Sequence, residues 1–322
     1  GMEVVLREHT ENNNQTLCGL QLKTLNINDT KKNIDSLRGE CAMGPDDIST
    51  RLLKLACDQI ASPLTHALNL SIGKGIFPEH LKEAIIVPIY KNEDPMELMN
   101  YRPIALLNSI SKIYEKAVNL QLVHYLESNQ LLSDNQYGFR KGKSTSDAIH
   151  SLTDFIVREI DEGRKCLAVY LDLKKAFDTV SHEVLLKKLE NVGIRGTSQQ
   201  WFQSYIANRK QTVKIGFECG DYTQTRYGVP QGSVLGPTLF LIYINDLCEL
   251  SNPGKIVAFA DDTALLYSGK SWKEVFETAN TEVNKIKKWL NTNLLTLNVS
   301  KTKYTTFSID GRHQPRKNEF EL

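Results

Sequence analysis

Net charge is almost missing from this chain. Its 322 residues carry 39 Lys and Arg against 38 Asp and Glu, a formal charge of +1. No global field therefore draws it to a polyanion or a membrane surface, and any such site must be a local concentration of charge. Long apolar runs are missing as well. No stretch approaches the roughly 18 apolar residues of a membrane-spanning helix, and the opening GMEVVLREHTENNN lacks the apolar core of a signal peptide. The Asn-x-Ser/Thr triplets at Asn28, Asn69 and Asn298 thus carry no expectation of glycosylation. The six cysteines never fall at Cys-x-x-Cys spacing and no His-rich segment accompanies them. That argues against a zinc module or a redox pair and for reduced, buried thiols in an intracellular protein. There is no internal repeat and no low-complexity block.

What remains is an ordinary globular composition, 41% hydrophobic and 24% charged, which excludes a wholly disordered or fibrous chain. At about 150 residues per domain the length allows two domains or one large one with a substantial core. Residues 1–45 are polar and weakly patterned, and read as a loosely packed lead-in. Over 46–81, Leu52, Leu55, Ile60, Leu64, Leu68 and Ile72 recur at helical spacing, with Gly73 and Gly75 as stops. A strand is predicted over 84–90, ending at Lys91, and helices over 109–128 and 145–163. Residues 271–290 form an amphipathic helix whose core face is Trp272, Val275, Phe276, Ala279, Val283, Ile286 and Leu290. A strand and turn follow at 294–307, then a polar, basic tail.

Carboxylates at strand ends are the first chemical signal. CLAVYL (166–171) is a compact apolar run, hence a buried strand, and it ends on Asp172. The next helix is capped by Ser181, carries Glu183 in its first turn and stops before Gly193. Farther on, 256–260 and 263–267 read as two strands of a tight hairpin separated by Asp261 and Asp262. Such turns favour Asn-Gly or Gly-x pairs, so adjacent aspartates there are either a solvated polar turn or a functional position that breaks a local rule. If the lone strand lies beside the hairpin, Asp172, Asp261 and Asp262 converge. Hard oxygen ligands in that number suit Mg²⁺, which takes its remaining ligands from water and substrate phosphates. Two such ions serve in-line phosphoryl displacement.

Seven segments, in order and in register, carry a resemblance. AVYLDLKKAFDTV (168–180), GVPQGSVLGPTLF (228–240), AFADDTALL (258–266) and LNVSKTK (297–303) resemble the palm motifs of reverse transcriptases. IIVPIYK (85–91), YRPIALLNSISKIYEK (101–116) and QYGFRKGKST (136–145) resemble the fingers motifs. The likeness is to LINE-type (non-LTR) retrotransposon enzymes of the jockey kind. GPDDIS (44–49) and GIFPEHLKEA (75–84) fit their N-terminal extension, and the likeness covers about residues 40–308.

The resemblance implies an α+β, right-hand polymerase fold: an antiparallel palm sheet backed by helices, with fingers N-terminal to it. Its divisions are a lead-in at 1–40, N-terminal extension and fingers at 41–165, palm at 166–310 and a basic tail at 311–322. The chain stops at Leu322, soon after the last motif, so no thumb is expected. The implied activity is RNA-directed DNA polymerase, adding dNTPs to a primer 3′-hydroxyl on an RNA template with two Mg²⁺ ions. The metal ligands and catalytic carboxylates would be Asp172, Asp261 and Asp262, with Lys301 protonating the departing pyrophosphate. Lys91 and Arg102 would hold the triphosphate, and Gln231 and Gly232 would line the nascent pair. Phe177 stands where the family places an aromatic gate against a 2′-hydroxyl, or else is plain core. Arg140, Lys141 and Lys143 would contact the nucleic-acid backbone, or else are solvated surface charges.

The implied partners are RNA template, DNA primer and other segments of a larger retrotransposon polyprotein, with no membrane. The implied location is intracellular, nuclear for the family role or cytoplasmic. With so little net charge, template binding is expected to be weak and salt-sensitive, through clusters at 140–143, 209–214 and 312–317. Two rivals stand beside this reading. One is an inactive captured or truncated domain that only binds RNA or a protein partner. The other is an RNA-dependent RNA polymerase, which Phe177 and Gln231 disfavour.

Overall fold

Helix α1 (Ile27–Asp35) starts at a capping box, in which Asn26 accepts from the Asp29 N–H while the Asp29 carboxylate accepts from the Asn26 N–H. This computed structural model describes residues 19–39, 42–91, 94–250 and 253–309, so the tail at 311–322 and its basic cluster at 312–317 lie outside the described residues. The described part of the lead-in, residues 19–39, is packed more firmly than its polar sequence suggests. Ile34 is fully buried, and Leu20 and Leu37 join the main core. Asn69 binds the Leu25 backbone through both its amide groups, at 2.8 and 2.9 Å. A polar segment can dock this way because its backbone groups are satisfied by side chains of the helix beneath.

The periodic stretch at 46–81 is not one helix. It divides at Ala56 into α2 (Thr50–Leu55), capped by Ser49, and α3 (Cys57–Lys74). The break rotates the face, so Leu52 and Leu55 are exposed while Leu53 is buried. Gly73 stays helical, and Gly75 ends α3 in the left-handed conformation at φ 65°. Strand β1 (Glu83–Tyr90) and helices α4 (Ser109–Ser128) and α5 (Thr145–Asp161) lie where the sequence places them, α5 ending two residues early. Strand β2 (Tyr101–Leu107), not read as a strand, pairs antiparallel with β1.

Next come β3 (Lys165–Leu171), α6 (His182–Asn191), α7 (Gly196–Ile206), β4 (Lys210–Ile215), β5 (Glu218–Cys219) and β6 (Thr223–Gln224). Helix α8 (Gly236–Ile244) is almost uniformly apolar and buried all round, so it forms the centre of the core. Strands β7 (Lys255–Phe259) and β8 (Asp262–Gly269), helix α9 (Trp272–Thr292) and β9 (Lys303–Phe307) complete the described chain. Every core residue expected on α9 is buried.

Two sheets result. One has the order β2-β1-β4-β5, with β6 also on β4, and its β1–β4 pair is parallel. The other has the order β7-β8-β3-β9 and is antiparallel throughout. Phe259 pairs with Asp262, so the turn of the β7–β8 hairpin is Ala260–Asp261, one residue earlier than expected. The left-handed residue is Ala260, at φ 58°, and Asp262 opens the following strand. Cys57, Cys166 and Cys248 are buried as expected, but Cys219 on the short strand β5 is exposed.

Candidate active site

Strand register brings the carboxylates together. Leu171 pairs with Thr263 across β3 and β8, so Asp172 leaves β3 beside the position where Asp262 enters β8. Asp261 sits one residue away in the hairpin turn. Burial pushes the Asp261 carboxyl above its ordinary range, and the charge of Asp172 adds to this while Arg102 and Lys91 oppose it. Asp262 is pushed up by burial, then by the charges of Asp261 and Asp172. Burial and mutual repulsion raise Asp261 and Asp262, and Arg102 and Lys91 offset this only in part at Asp261, so the carboxylates leave a net negative field. A divalent cation would relieve it.

Asp172 is held from the segment before β9. The Asn298 N–H donates to the Asp172 carbonyl at 2.7 Å, and the Asn298 side-chain amide donates to Asp172 Oδ2 at 2.7 Å. The Asp172 N–H donates to Thr302 Oγ1 at 3.3 Å. One carboxylate oxygen is thereby fixed, which orients the other. Among the described residues no three His, Cys, Asp or Glu side chains form a metal-holding group by themselves. The donor type still fits Mg²⁺, because that ion binds through one or two carboxylates and draws its other ligands from water and phosphate.

Phe177 packs against the core. Its half-buried ring stacks on Phe240 of α8, with centroids 4.4 Å apart and planes at 22°, and meets Phe139 edge-on at 6.2 Å. Its carbonyl accepts from the Val229 N–H at 2.9 Å, and the Gly228 N–H donates to the Val180 carbonyl at 2.8 Å. The Gly-Pro-Gln loop is thus stitched to the segment after β3. From the other side, the Gln231 carbonyl accepts from Ala105 of β2 at 2.7 Å. The Gln231 side chain donates to Asp178 Oδ1 at 3.1 Å, and burial raises the Asp178 carboxyl. Gly232 has φ 119°, and a Cβ there would stand 2.6 Å from the Ala105 carbonyl oxygen, so only glycine fits. A cavity of about 270 Å³ opens between this loop and the β1–β2 hairpin, with Lys175, Asp178, Arg209 and Gln231 on its walls.

The expected cations divide. Lys91 and Arg102 are exposed at the loop end of the β1–β2 hairpin and act electrostatically on Asp261. Lys141 is exposed. Lys301 is exposed, three residues beyond Asn298, to whose carbonyl its N–H donates at 3.1 Å. Arg140 departs from the expectation of a surface contact. Its side chain is 8% exposed and grips Glu127 with two bonds, Nε to Oε1 at 2.9 Å and Nη2 to Oε2 at 2.6 Å. A bidentate buried guanidinium of this kind is committed to its own fold. Lys143 is also engaged, donating to the Asp134 carbonyl at 2.6 Å and lying 5.0 Å above the Tyr137 ring.

Sequence reasoning passed over Asn298, Asp178 and Glu115 inside motifs it had otherwise singled out. Glu115 is fully buried on α4, where its Oε2 accepts from the N–H groups of Val234 and Leu235 at 2.6 and 3.2 Å. It therefore caps α8 at the end of the Gln231 loop. Its signal was present as a lone carboxylate among Ile113, Tyr114, Ala117 and Val118.

Strand-end carboxylates thus lie within electrostatic reach of a cation-bearing hairpin, and comparison with known proteins supplies the family. Residues 89–320 match the family Reverse transcriptase (RNA-dependent DNA polymerase). The chain belongs to that family. It is 31% identical over 298 residues to a probable RNA-directed DNA polymerase from transposon BS of Drosophila melanogaster, covering 90% of this chain and 33% of that protein. It is 27% identical over 297 residues to the RNA-directed DNA polymerase from mobile element jockey of the same fly, covering 90% and 32%. A protein of the type-1 retrotransposable element R1DM is 28% identical over 241 residues, covering 73% and 22%. The chain spans about a third of the length of the first two relatives.

Proposed function

We propose that this chain performs RNA-templated DNA synthesis for a jockey-like retrotransposon. The observation that carries the reading is the convergence of Asp172, Asp261 and Asp262 at one end of an antiparallel sheet, opposite Lys91 and Arg102. In this reading the four-stranded sheet is the palm and the β1–β2 hairpin belongs to the fingers. Asp172 and Asp261 would hold two Mg²⁺ ions, which when bound lower the pKa of the attacking hydroxyl and neutralise charge on the leaving oxygen. Asp262 adds negative charge beside them.

The protein's own groups do the rest. Lys91 and Arg102 attract and orient a triphosphate, and Phe177 limits the room beneath its sugar, so that a deoxyribose fits and a ribose does not. Gln231 offers a polar edge at the nascent pair, its side chain oriented by Asp178. Lys301 is positioned by sequence beside the turn that holds Asp172, and a protonated amine there would serve the departing pyrophosphate. Lys141 is the cation of its cluster available to a phosphate backbone, and the polymer would be recognised by A-form shape rather than by sequence.

The test is primer extension on an RNA template at low salt with Mg²⁺, comparing dNTPs with NTPs. Wild type is expected to extend with dNTPs, and Asp261→Asn to lose at least about a hundredfold in kcat, the scale of losing a principal electrostatic element. Wild type that binds primer–template yet adds no nucleotide would overturn the reading.

A further inference from the structure

The segment from Gln136 to Arg140 touches the hairpin that bears Asp261. Gln136 is fully buried. Its Oε1 accepts from the Ala260 N–H at 2.9 Å and from the Gly138 N–H at 2.8 Å, while its Nε2 donates to the Ala260 carbonyl at 3.3 Å. One carboxamide thus holds both backbone groups of the residue before Asp261. The neighbouring backbone reinforces the grip: the Tyr137 N–H donates to the Ala258 carbonyl at 2.8 Å, and the Ala258 N–H donates to the Asn135 carbonyl at 2.9 Å.

Ala260 needs holding. Its φ of 58° lies in the left-handed region that an alanine seldom adopts, in a turn where glycine or asparagine is usual. The segment approaches so closely that a Cβ on Gly138 would stand 2.2 Å from the Ala260 nitrogen. Arg140 anchors it from behind, since Nη1 donates to the carbonyls of Ser133 and Gln136 while the rest of the guanidinium grips Glu127.

We propose that Gln136 is a positioning residue for the reaction: it locks the Ala260–Asp261 turn in its left-handed form and so fixes the Asp261 carboxylate. The role rests on the polymerase reading above, but the contact itself can be tested apart from it. Gln136→Met preserves length and volume and removes all three hydrogen bonds. Hydrogen exchange at the Ala260 amide is expected to accelerate at least about tenfold, as its acceptor is lost. In primer extension, kcat is expected to fall by about tenfold to a hundredfold, the effect of a small misplacement of a reacting group. The dNTP KM is expected to stay within about twofold, because nothing that holds the triphosphate has moved.

Ala260→Gly in the Gln136→Met background removes the Cβ that disfavours the turn and is expected to recover part of the lost kcat. If Gln136→Met does not fold, Gln136→Asn keeps the carboxamide but draws it back by one methylene, which lengthens all three hydrogen bonds, and is expected to give a smaller shift in the same direction. Unchanged exchange at Ala260, or a kcat loss that Ala260→Gly leaves untouched, overturns the role. Should wild type show no incorporation, the polymerase reading falls while exchange at Ala260 still decides the contact.

Discussion

Replacing Arg140 with alanine separates a structural arginine from one that touches nucleic acid. The side chain makes two bonds to Glu127 and two to the carbonyls of Ser133 and Gln136, from a position 8% exposed. Removing one partner of a buried pair costs about 3–5 kcal/mol. Glu127 is 33% exposed and regains part of its hydration, which brings the expected loss to about 3 kcal/mol, the low end of that range. In a chain of 322 residues, at about 2.1 cal/mol/K of unfolding entropy per residue, that lowers the melting temperature by about 4–5 °C. Glu127→Ala should destabilise by a similar amount, and the double variant by less than the sum, with a coupling of about 1–3 kcal/mol.

The pH dependence has a definite sign. The hydrogen bond from Arg140 holds the Glu127 carboxyl below its ordinary range. Stability from this group is therefore present above the unfolded pKa of about 4.3 and is lost as pH falls through the lower folded value. The gap in stability between wild type and Arg140→Ala should shrink over that acid window. The assays are thermal melts across pH, with fluorescence anisotropy on an RNA–DNA primer–template across salt. Arg140→Ala should leave the salt slope of binding unchanged, whereas Lys141→Ala should reduce it by about one. An Arg140→Ala protein with unaltered melting and a reduced salt slope would refute the argument.

Asn298→Asp replaces the donor to Asp172 Oδ2 with a like charge, and should cut kcat in primer extension by at least about a hundredfold while primer–template binding holds. Phe177→Val removes the ring packed between Phe139 and Phe240, and should narrow the preference for dNTP over NTP by at least about tenfold in competing incorporation assays. Gly232→Ala should destabilise by more than about 1 kcal/mol in denaturant melts and raise the dNTP KM, because its φ and the Ala105 carbonyl both exclude a Cβ. The raised Asp261 carboxyl opposes folding at neutral pH and does so less as pH falls through its folded value toward the ordinary carboxylate range. Asp261→Asn should therefore stabilise the metal-free chain at pH 7, and a melt without Mg²⁺ checks the sign.

The chain's own order of residues determined the elements that carry this site. The apolar run closed by Asp172, the capped helix at Ser181 and the period of 271–290 are local signals, and local hydrogen bonding and burial decide them. Adjacent aspartates between two apolar runs marked the hairpin, although the residue with positive φ turned out to be Ala260. Only the tertiary structure decided which polar side chains serve the site and which serve the fold. Arg140 and Lys141 are neighbours of one kind in the sequence, yet one is buried against Glu127 and the other is exposed. Gln136 and Asn298 look like ordinary loop amides until the strand register places their carboxamides against the Ala260 backbone and the Asp172 carboxylate. These contacts join residues more than 120 positions apart. A hydrogen bond of that reach leaves no periodicity or spacing behind, because it depends on where two strands pair and not on what lies next to either residue.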